Sequence, residues 1–327
     1  MCTCLECLAA APIARLGLSL AAVGHPGGIN LDRDTAPPVV RSTGRLRART
    51  RRLLNAAYDR GVRYIDTARS YGLAEEFLAD WLRSRPDARD VVIGSTRGFA
   101  STAGWSTHTA LHEAPDHGTC AYDRQLAQTR ALLGNRLGVY QIHSVTQDSP
   151  ALTDTVLHER LAALAAEGVT IGLSTRGPGQ ADVIRAALTI TVGGTPLFSA
   201  VQATYNLLER SAGETLAEAY AAGCTVIVKD ALANGALTGR HARGPVAAAL
   251  RVTAQGAHVS CDAVALAAVL ALPWADVVLS APATIEQLTS NLTAADLRLT
   301  PAQLHRLAEL TEPAETYWAH RPQPAWT

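Results

Sequence analysis

The chain has 327 residues, 48% hydrophobic and 18% charged, with 29 basic and 29 acidic side chains and a formal net charge of zero, which is the balance of a globular protein with a large core rather than of a disordered one. Without net charge there is no long-range field to gather a polyanion, so nucleic acid is not the expected partner. The six cysteines, at positions 2, 4, 7, 120, 224 and 261, are not spaced as a disulfide framework.

Residues 1–15 read as a frayed lead-in, and Cys2-x-Cys4-x-x-Cys7 lacks a fourth ligand nearby. The apolar stretch 8–22 is broken by Pro12 and Arg15 and has no basic start, so it reads as the approach to a first strand near 16–22. Neither secretion nor a membrane span is indicated, and the cytoplasm is the expected location. A Gly/Pro-rich loop, His25-Pro26-Gly27-Gly28, and a polar stretch to Thr50 follow. Apolar residues at Leu53, Leu54, Ala57 and Tyr58 then mark a helix over 51–60, which Gly61 stops before a second strand. The alternation continues with helix 74–83, strand 91–95, helix 122–133, strand 138–142, helix 155–167, strand 169–173 and helix 179–188. Strand 198–202, helix 212–222, strand 224–228, a helical region within 245–271, strand 276–279 and helix 284–294 complete eight strand–helix units. Pro86, Pro178, Pro273 and Pro301 fall between elements, where a missing N–H does no harm.

A polar residue closes each of six apolar runs: Asp66, Thr96, His143, Ser174, Gln202 and Lys229. If the runs are parallel strands of a (β/α)₈ TIM barrel, an α/β fold built as one domain over 1–327, those side chains arrive together at the C-terminal mouth, where such barrels do chemistry. A doubly wound open sheet is the rival, but no Gly-x-Gly-x-x-Gly follows the first strand.

The segment Gly61-Val62-Arg63-Tyr64-Ile65-Asp66-Thr67-Ala68-Arg69-Ser70-Tyr71-Gly72 with Ala74-Glu75, and the strand Val139-Tyr140-Gln141-Ile142-His143-Ser144, resemble the catalytic segments of the aldo-keto reductases. Val201-Gln202-Ala203-Thr204-Tyr205-Asn206-Leu207-Leu208 and Leu232-Ala233-Asn234-Gly235-Ala236-Leu237-Thr238-Gly239 resemble that family's cofactor-binding segments. The resemblance implies an oxidoreductase in which Tyr71 gives a proton to a carbonyl oxygen that His143 hydrogen-bonds, Asp66 supports the donor, and a nicotinamide supplies hydride. A phenol with an ordinary pKa of about 10 keeps its proton at neutral pH until a strongly basic alkoxide develops.

The family pattern places a lysine on the third strand, where this chain has Thr96, so the catalytic set is Asp66, Tyr71, Thr96 and His143 with no ammonium among them. Arg97 is adjacent, but neighbouring strand residues face opposite sides. Without a cation Asp66 should be harder to ionise unless Arg69 or Arg97 substitutes. On the cofactor side, Ser174 and Gln202 match positions that bond the nicotinamide carboxamide. Lys229 stands where many relatives carry a stacking aromatic, and Leu232, Thr284, Gln287 and Asn291 fall in the phosphate and adenosine segments. The resemblance implies NADP(H), with NAD(H) as the other nicotinamide, although Ala281 and Gln287 stand where some relatives carry bases for the 2′-phosphate.

The bland readings are a cap and a surface aromatic for Asp66 and Tyr71, a structural histidine for His143 and a solvated strand end for Lys229. The long stretch from Arg97 to Cys120, with Trp105, His108, His112, Glu113, Asp116 and His117, should lie over the mouth as a polar lid, since no helix aligns a metal-ligand pair there. Two rival functions stand beside the reductase: a non-redox barrel enzyme such as a dehydratase, isomerase or lyase using Tyr71 and His143, with Lys229 available for an imine, and a redox-silent binding protein. The expected partner in every case is a small-molecule substrate, without nucleic acid or membrane.

Overall fold

The computed structural model describes residues 12–24, 42–99, 116–239 and 241–321. The N-terminal cysteines, the loop at 25–28, and Trp105, His108, His112 and Glu113 lie outside the described residues.

Among the described residues ten strands form: β1 (Leu16–Ser19), β2 (Tyr64–Ala68), β3 (Val92–Arg97), β4 (Leu137–Val145), β5 (Thr170–Thr175), the two-residue hairpin arms β6 (Thr191–Val192) and β7 (Thr195–Pro196), β8 (Ala200–Thr204), β9 (Thr225–Lys229) and β10 (Val277–Ser280). All but the hairpin close into one eight-stranded barrel in the order β1, β2, β3, β4, β5, β8, β9, β10, with every neighbouring pair parallel. The expected (β/α)₈ architecture is therefore present, and the open doubly wound sheet is not. The helices that return the chain are α1 (Thr43–Asp59), α2 (Ala74–Ser84), α3 (Thr119–Leu133), α4 (Thr155–Ala166), α5 (Gln180–Leu188), α6 (Gly213–Ala221), α7 (Gly244–Ala257), α8 (Cys261–Leu270) and α9 (Ile285–Leu292), followed by α10 (Pro301–Ala308) and α11 (Ala314–His320).

Several boundaries differ from the sequence reading. Gln202 lies in a strand as expected, and the strands also take in the polar residues Asp66, Thr96, His143, Ser174 and Lys229 that were expected just beyond their ends. Helix α1 starts at Thr43, because its buried stripe already begins at Leu46 and Thr50. The helical region 245–271 is two helices: His258 leaves α7 in the left-handed conformation at φ 54°, and the Ser260 side chain caps α8 by accepting from Ala263 N. Pro301 is the first residue of α10, behind a Thr300–Gln303 capping box.

Most of the buried apolar side chains lie between the barrel and its helices. Inside the barrel, Tyr64, Val92, Val139, Ala200, Ile227, Val277 and Leu279 form a separate buried plug. Side chains alternate along a strand, so the positions two residues further on share this inward face: Asp66 on β2, Gly94 on β3, Gln141 on β4, Gln202 on β8 and Lys229 on β9. One more step brings Thr96 and His143 inward, and Ser174 sits beside Gln202 in the register of β5 with β8. The polar residues thus crown an apolar plug at the C-terminal ends of the strands.

Candidate active site

Asp66 is 1% exposed. Its carboxylate accepts from Gln202 Nε2 at 3.0 Å and from Ser19 Oγ at 3.1 Å, both neutral donors from other strands. Burial pushes its pKa up to about 7, while the bonds from Gln202 and Ser19 and the charge of Lys229 pull in the opposite direction. Neither arginine replaces the missing amine. Arg97 is fully buried on the outward face, with its guanidinium over the Tyr122 ring at 5.3 Å and donating to the His117 and Gly118 carbonyls at 3.0 and 3.3 Å. Arg69 pairs with Glu75 at 2.5 Å, and that buried carboxylate also accepts from Ser95 Oγ at 2.6 Å and Thr129 Oγ1 at 2.9 Å. Glu75 thereby ties the 66–71 segment to β3 and α3.

Thr96 points inward as expected, pairs with Ala68 in register, and has Gln141 Nε2 3.5 Å from its hydroxyl. The interior beside it is filled by a phenol: a Cβ at Gly94 would lie 2.2 Å from the Tyr64 hydroxyl oxygen, so only glycine fits under that ring. The Tyr64 hydroxyl and Gln141 Oε1 are both buried without a hydrogen-bond partner among the described residues.

Tyr71 follows β2 in a tight turn, its N–H donating to the Ala68 carbonyl at 3.0 Å and its carbonyl accepting from Ala74 N at 3.2 Å. The turn after β1 packs so closely here that a Cβ at Gly24 would lie 1.9 Å from the Tyr71 carbonyl oxygen. The rings of Tyr71 and His143 meet edge to face with centroids 6.2 Å apart, and Phe99 covers His143 from another side at 4.7 Å. Ser70 Oγ lies 3.4 Å from His143 Nδ1. Burial, then the charges of Lys229, His117 and Arg176, hold the His143 pKa well below its ordinary value, so the ring is neutral at physiological pH. In the tautomer where the Ser70 hydroxyl donates to Nδ1, the ring proton sits on Nε2, which is then a hydrogen-bond donor.

The backbone bends where His143 is presented. Ser144 has φ 54°, the β4–β5 register shifts between Ile142 and Val145, and Ser144 N donates to Ser174 Oγ at 2.8 Å. His117 braces the same point, with Nε2 donating to the His143 carbonyl at 2.8 Å and Nδ1 2.5 Å from Ser149 Oγ. His117 is therefore a structural brace, and no group of three or more His, Cys, Asp or Glu able to hold a metal occurs among the described residues.

The nicotinamide positions can be tested for fit. Among the described residues, Ser174 Oγ accepts from Ser144 but has no acceptor for its own proton, and Gln202 gives its amide N–H to Asp66 while its Oε1 has no donor. Side by side in register, a spare O–H and a spare carbonyl complement a primary carboxamide, which accepts at oxygen and donates at nitrogen. The nicotinamide end fits. Asp230, Ala233, Asn234 and Gly235 after β9 have φ of 55°, 47°, 53° and 100°, a tight turn in which Ala233 N and Gly235 N donate to the Asp230 and Leu232 carbonyls at 2.7 and 2.9 Å. Within that turn Asp230 accepts from Thr204 Oγ1 at 2.6 Å and pairs with Arg321 of the segment after α11 at 2.9 Å. Leu232 packs between the two larger apolar clusters.

The expected adenosine segment has its own internal hydrogen bonds. Thr284 and Gln287 bond each other in the capping box of α9, and Asn291, its amide oriented to donate, reaches Asp262 at 2.8 Å, tying α9 to α8. The cation beside this segment is Arg49 on α1, whose Nε donates to the Ala283 carbonyl at 2.5 Å. Ser19, Ser70, Arg49 and Arg321 were not legible as site residues, because each acts across a fold-dependent contact without a local motif. A cavity at the opposite end between β3, β4 and β5 is lined by Arg89, Arg130 and Arg136, and all three already have partners in Pro86 O, Glu167 and Ala88 O.

Compared with known proteins, residues 43–312 match the family model of the aldo/keto reductase family. A protein from Pseudomonas aeruginosa described as an aldo-keto reductase is 23% identical with a TM-score of 0.61, over 86% of this chain and 90% of that one. An aldo-keto reductase from Bacillus halodurans, solved in its holo form, is 19% identical with a TM-score of 0.68, over 93% and 95%. At these identities the two structures show the shared fold. No curated protein matches the chain.

Proposed function

Because this chain belongs to the aldo/keto reductase family, whose members in general use NAD(P)H and act as oxidoreductases, we propose that it interconverts the carbonyl and alcohol forms of a small molecule at the mouth formed by Asp66, Tyr71 and His143. The observation that carries the reading is the edge-to-face meeting of Tyr71 with a neutral His143 above the buried Asp66, beside the Ser174 and Gln202 pair that complements a carboxamide.

When bound, the nicotinamide supplies or accepts the hydride. His143 donates from Nε2 to the carbonyl oxygen and fixes its position. Being neutral, it polarises the carbonyl without giving up a proton. Tyr71 delivers its phenolic proton to the oxygen as charge develops there. Asp66, held by Ser19 and Gln202 without a cation, leaves that phenol without the charge relay that a lysine at position 96 would give, and general acid help of this kind is typically worth about 10² to 10⁴-fold. Ser174 and Gln202 hold the carboxamide, Leu232 and the turn after β9 flank the phosphates, and Arg49 supplies the charge for a 2′-phosphate that favours NADP(H) over NAD(H). Phe99 and the apolar plug keep water from the reacting face.

The test is cofactor-dependent turnover of a panel of small aldehydes and ketones, followed by nicotinamide absorbance, with Tyr71→Phe alongside. Turnover that falls about 10² to 10⁴-fold in the variant supports the assignment. A Phe variant as active as the parent, or no cofactor oxidation with any carbonyl, contradicts it.

A further inference from the structure

The chain contains a single lysine, Lys229, against 28 arginines. Wherever a positive charge alone is needed on this protein, arginine supplies it. What arginine cannot supply is an amine that loses its proton near neutral pH and acts as a nucleophile.

Lys229 is the last residue of β9, two residues beyond Ile227 of the barrel plug and in register with Thr204. Its side chain therefore faces the mouth. It makes no hydrogen bond or ion pair among the described residues. The two carboxylates that bear on it are otherwise engaged: Asp230 by Arg321 at 2.9 Å and Thr204 at 2.6 Å, and Asp66 by Gln202 at 3.0 Å and Ser19 at 3.1 Å. A lysine kept for structure would hold one of them. Its ammonium is the charge that weighs most on His143, which puts the amine and a neutral imidazole in one cup. Burial, assisted by the nearby Arg321 and Arg176, brings the Lys229 pKa down to about 8, so that at neutral pH about a tenth of the amine is unprotonated, far more than for an ordinary lysine.

We propose that the Lys229 ε-amine captures an aldehyde or ketone substrate as an imine at this mouth. The nitrogen lone pair forms the N–C bond while the carbonyl π pair moves to oxygen, which takes up a proton. The resulting carbinolamine loses that oxygen as water together with an amine proton, so amine plus carbonyl gives imine plus water, with no redox partner required. Protonated, the imine draws electrons from the adjacent carbon. The proposal goes beyond the reductase reading and does not depend on it, since it needs no nicotinamide.

The test uses the full-length protein without cofactor, incubated near neutral pH with propanal or with pyruvate in the presence of cyanoborohydride, which reduces the imine to a stable secondary amine. Intact mass counts adducts, and digestion with a lysine-specific protease locates them, because alkylated Lys229 is no longer cleaved. The only other amine is the chain's N-terminal one. With at least one probe, labelling of Lys229 should run on the order of tenfold faster in folded protein than in urea-unfolded protein, the gain in free amine being partly offset by lower nucleophilicity. Lys229→Arg should retain N-terminal labelling alone. Adducts confined to the N-terminus with both probes, or Lys229 labelled no faster folded than unfolded, would overturn the proposal. Nicotinamide titration of the same preparation reports on the reductase reading separately, so either idea can fail while the other stands.

Discussion

Replacing Asp66 with asparagine should make the protein more stable at neutral and mildly alkaline pH. The carboxyl is buried, its two partners are uncharged, and its pKa is pushed from 3.8 to about 7. A folded-state pKa above the unfolded value means that the folded chain holds the proton more tightly. Stability from this group is therefore complete below the unfolded pKa and is lost as pH rises through about 7. A rise from 3.8 to about 7 corresponds to about 4 kcal/mol. The asparagine side chain would keep both contacts, with its amide oxygen accepting from Gln202 and its amide nitrogen donating to the Ser19 hydroxyl, yet it would carry no titrating proton. Urea unfolding of both proteins across about pH 4 to 8 checks this. Groups that titrate in both proteins largely cancel in the difference. The parent should lose about 4 kcal/mol relative to Asp66→Asn over that range, with the change finished a little above neutrality. A difference that stays nearly flat over this range would mean that Asp66 ionises as in water or is paired with a cation, and the reasoning about the missing amine would fall.

Two further outcomes follow from the same geometry. Thr96→Lys returns an ammonium to the inward face of β3, which should lower the Asp66 pKa by about one to three units, flatten the pH slope just described, and speed nicotinamide-dependent carbonyl reduction by about 10²-fold; an already active parent whose rate does not change would show that the donor network works by another route. Arg49→Ala should weaken NADPH about tenfold or more and leave NADH nearly unchanged, as expected for a charge-assisted contact to a 2′-phosphate, whereas equal losses for both cofactors would assign Arg49 to holding the Ala283 segment.

The barrel was legible because short apolar runs bounded by glycine recur between helical stretches, and that rhythm survives in a single sequence. The strand ends were less legible. In a barrel the inward face turns polar near the mouth, so Asp66, His143 and Lys229 resemble strand terminators although hydrogen bonding carries the strands through them. The first turns of α1 were missed because Arg45, Arg47 and Arg49 conceal the stripe that Leu46 begins. Within the site, inward and outward alternation correctly separated Thr96 from Arg97. The engagement of Arg69 by Glu75, of Asp66 by Ser19 and of Asp230 by Arg321 depends on contacts across 6, 47 and 91 positions, and the two longer ones leave no local pattern to read.

The central claim, that this mouth accepts a nicotinamide beside Tyr71 and His143, is tested most directly by titrating the full-length protein with NADPH and NADH and following cofactor fluorescence. Saturable binding of either, tighter for NADPH and weakened by changing Ser174 or Gln202 to alanine, is the expected result. No binding of either cofactor at millimolar concentration would contradict it.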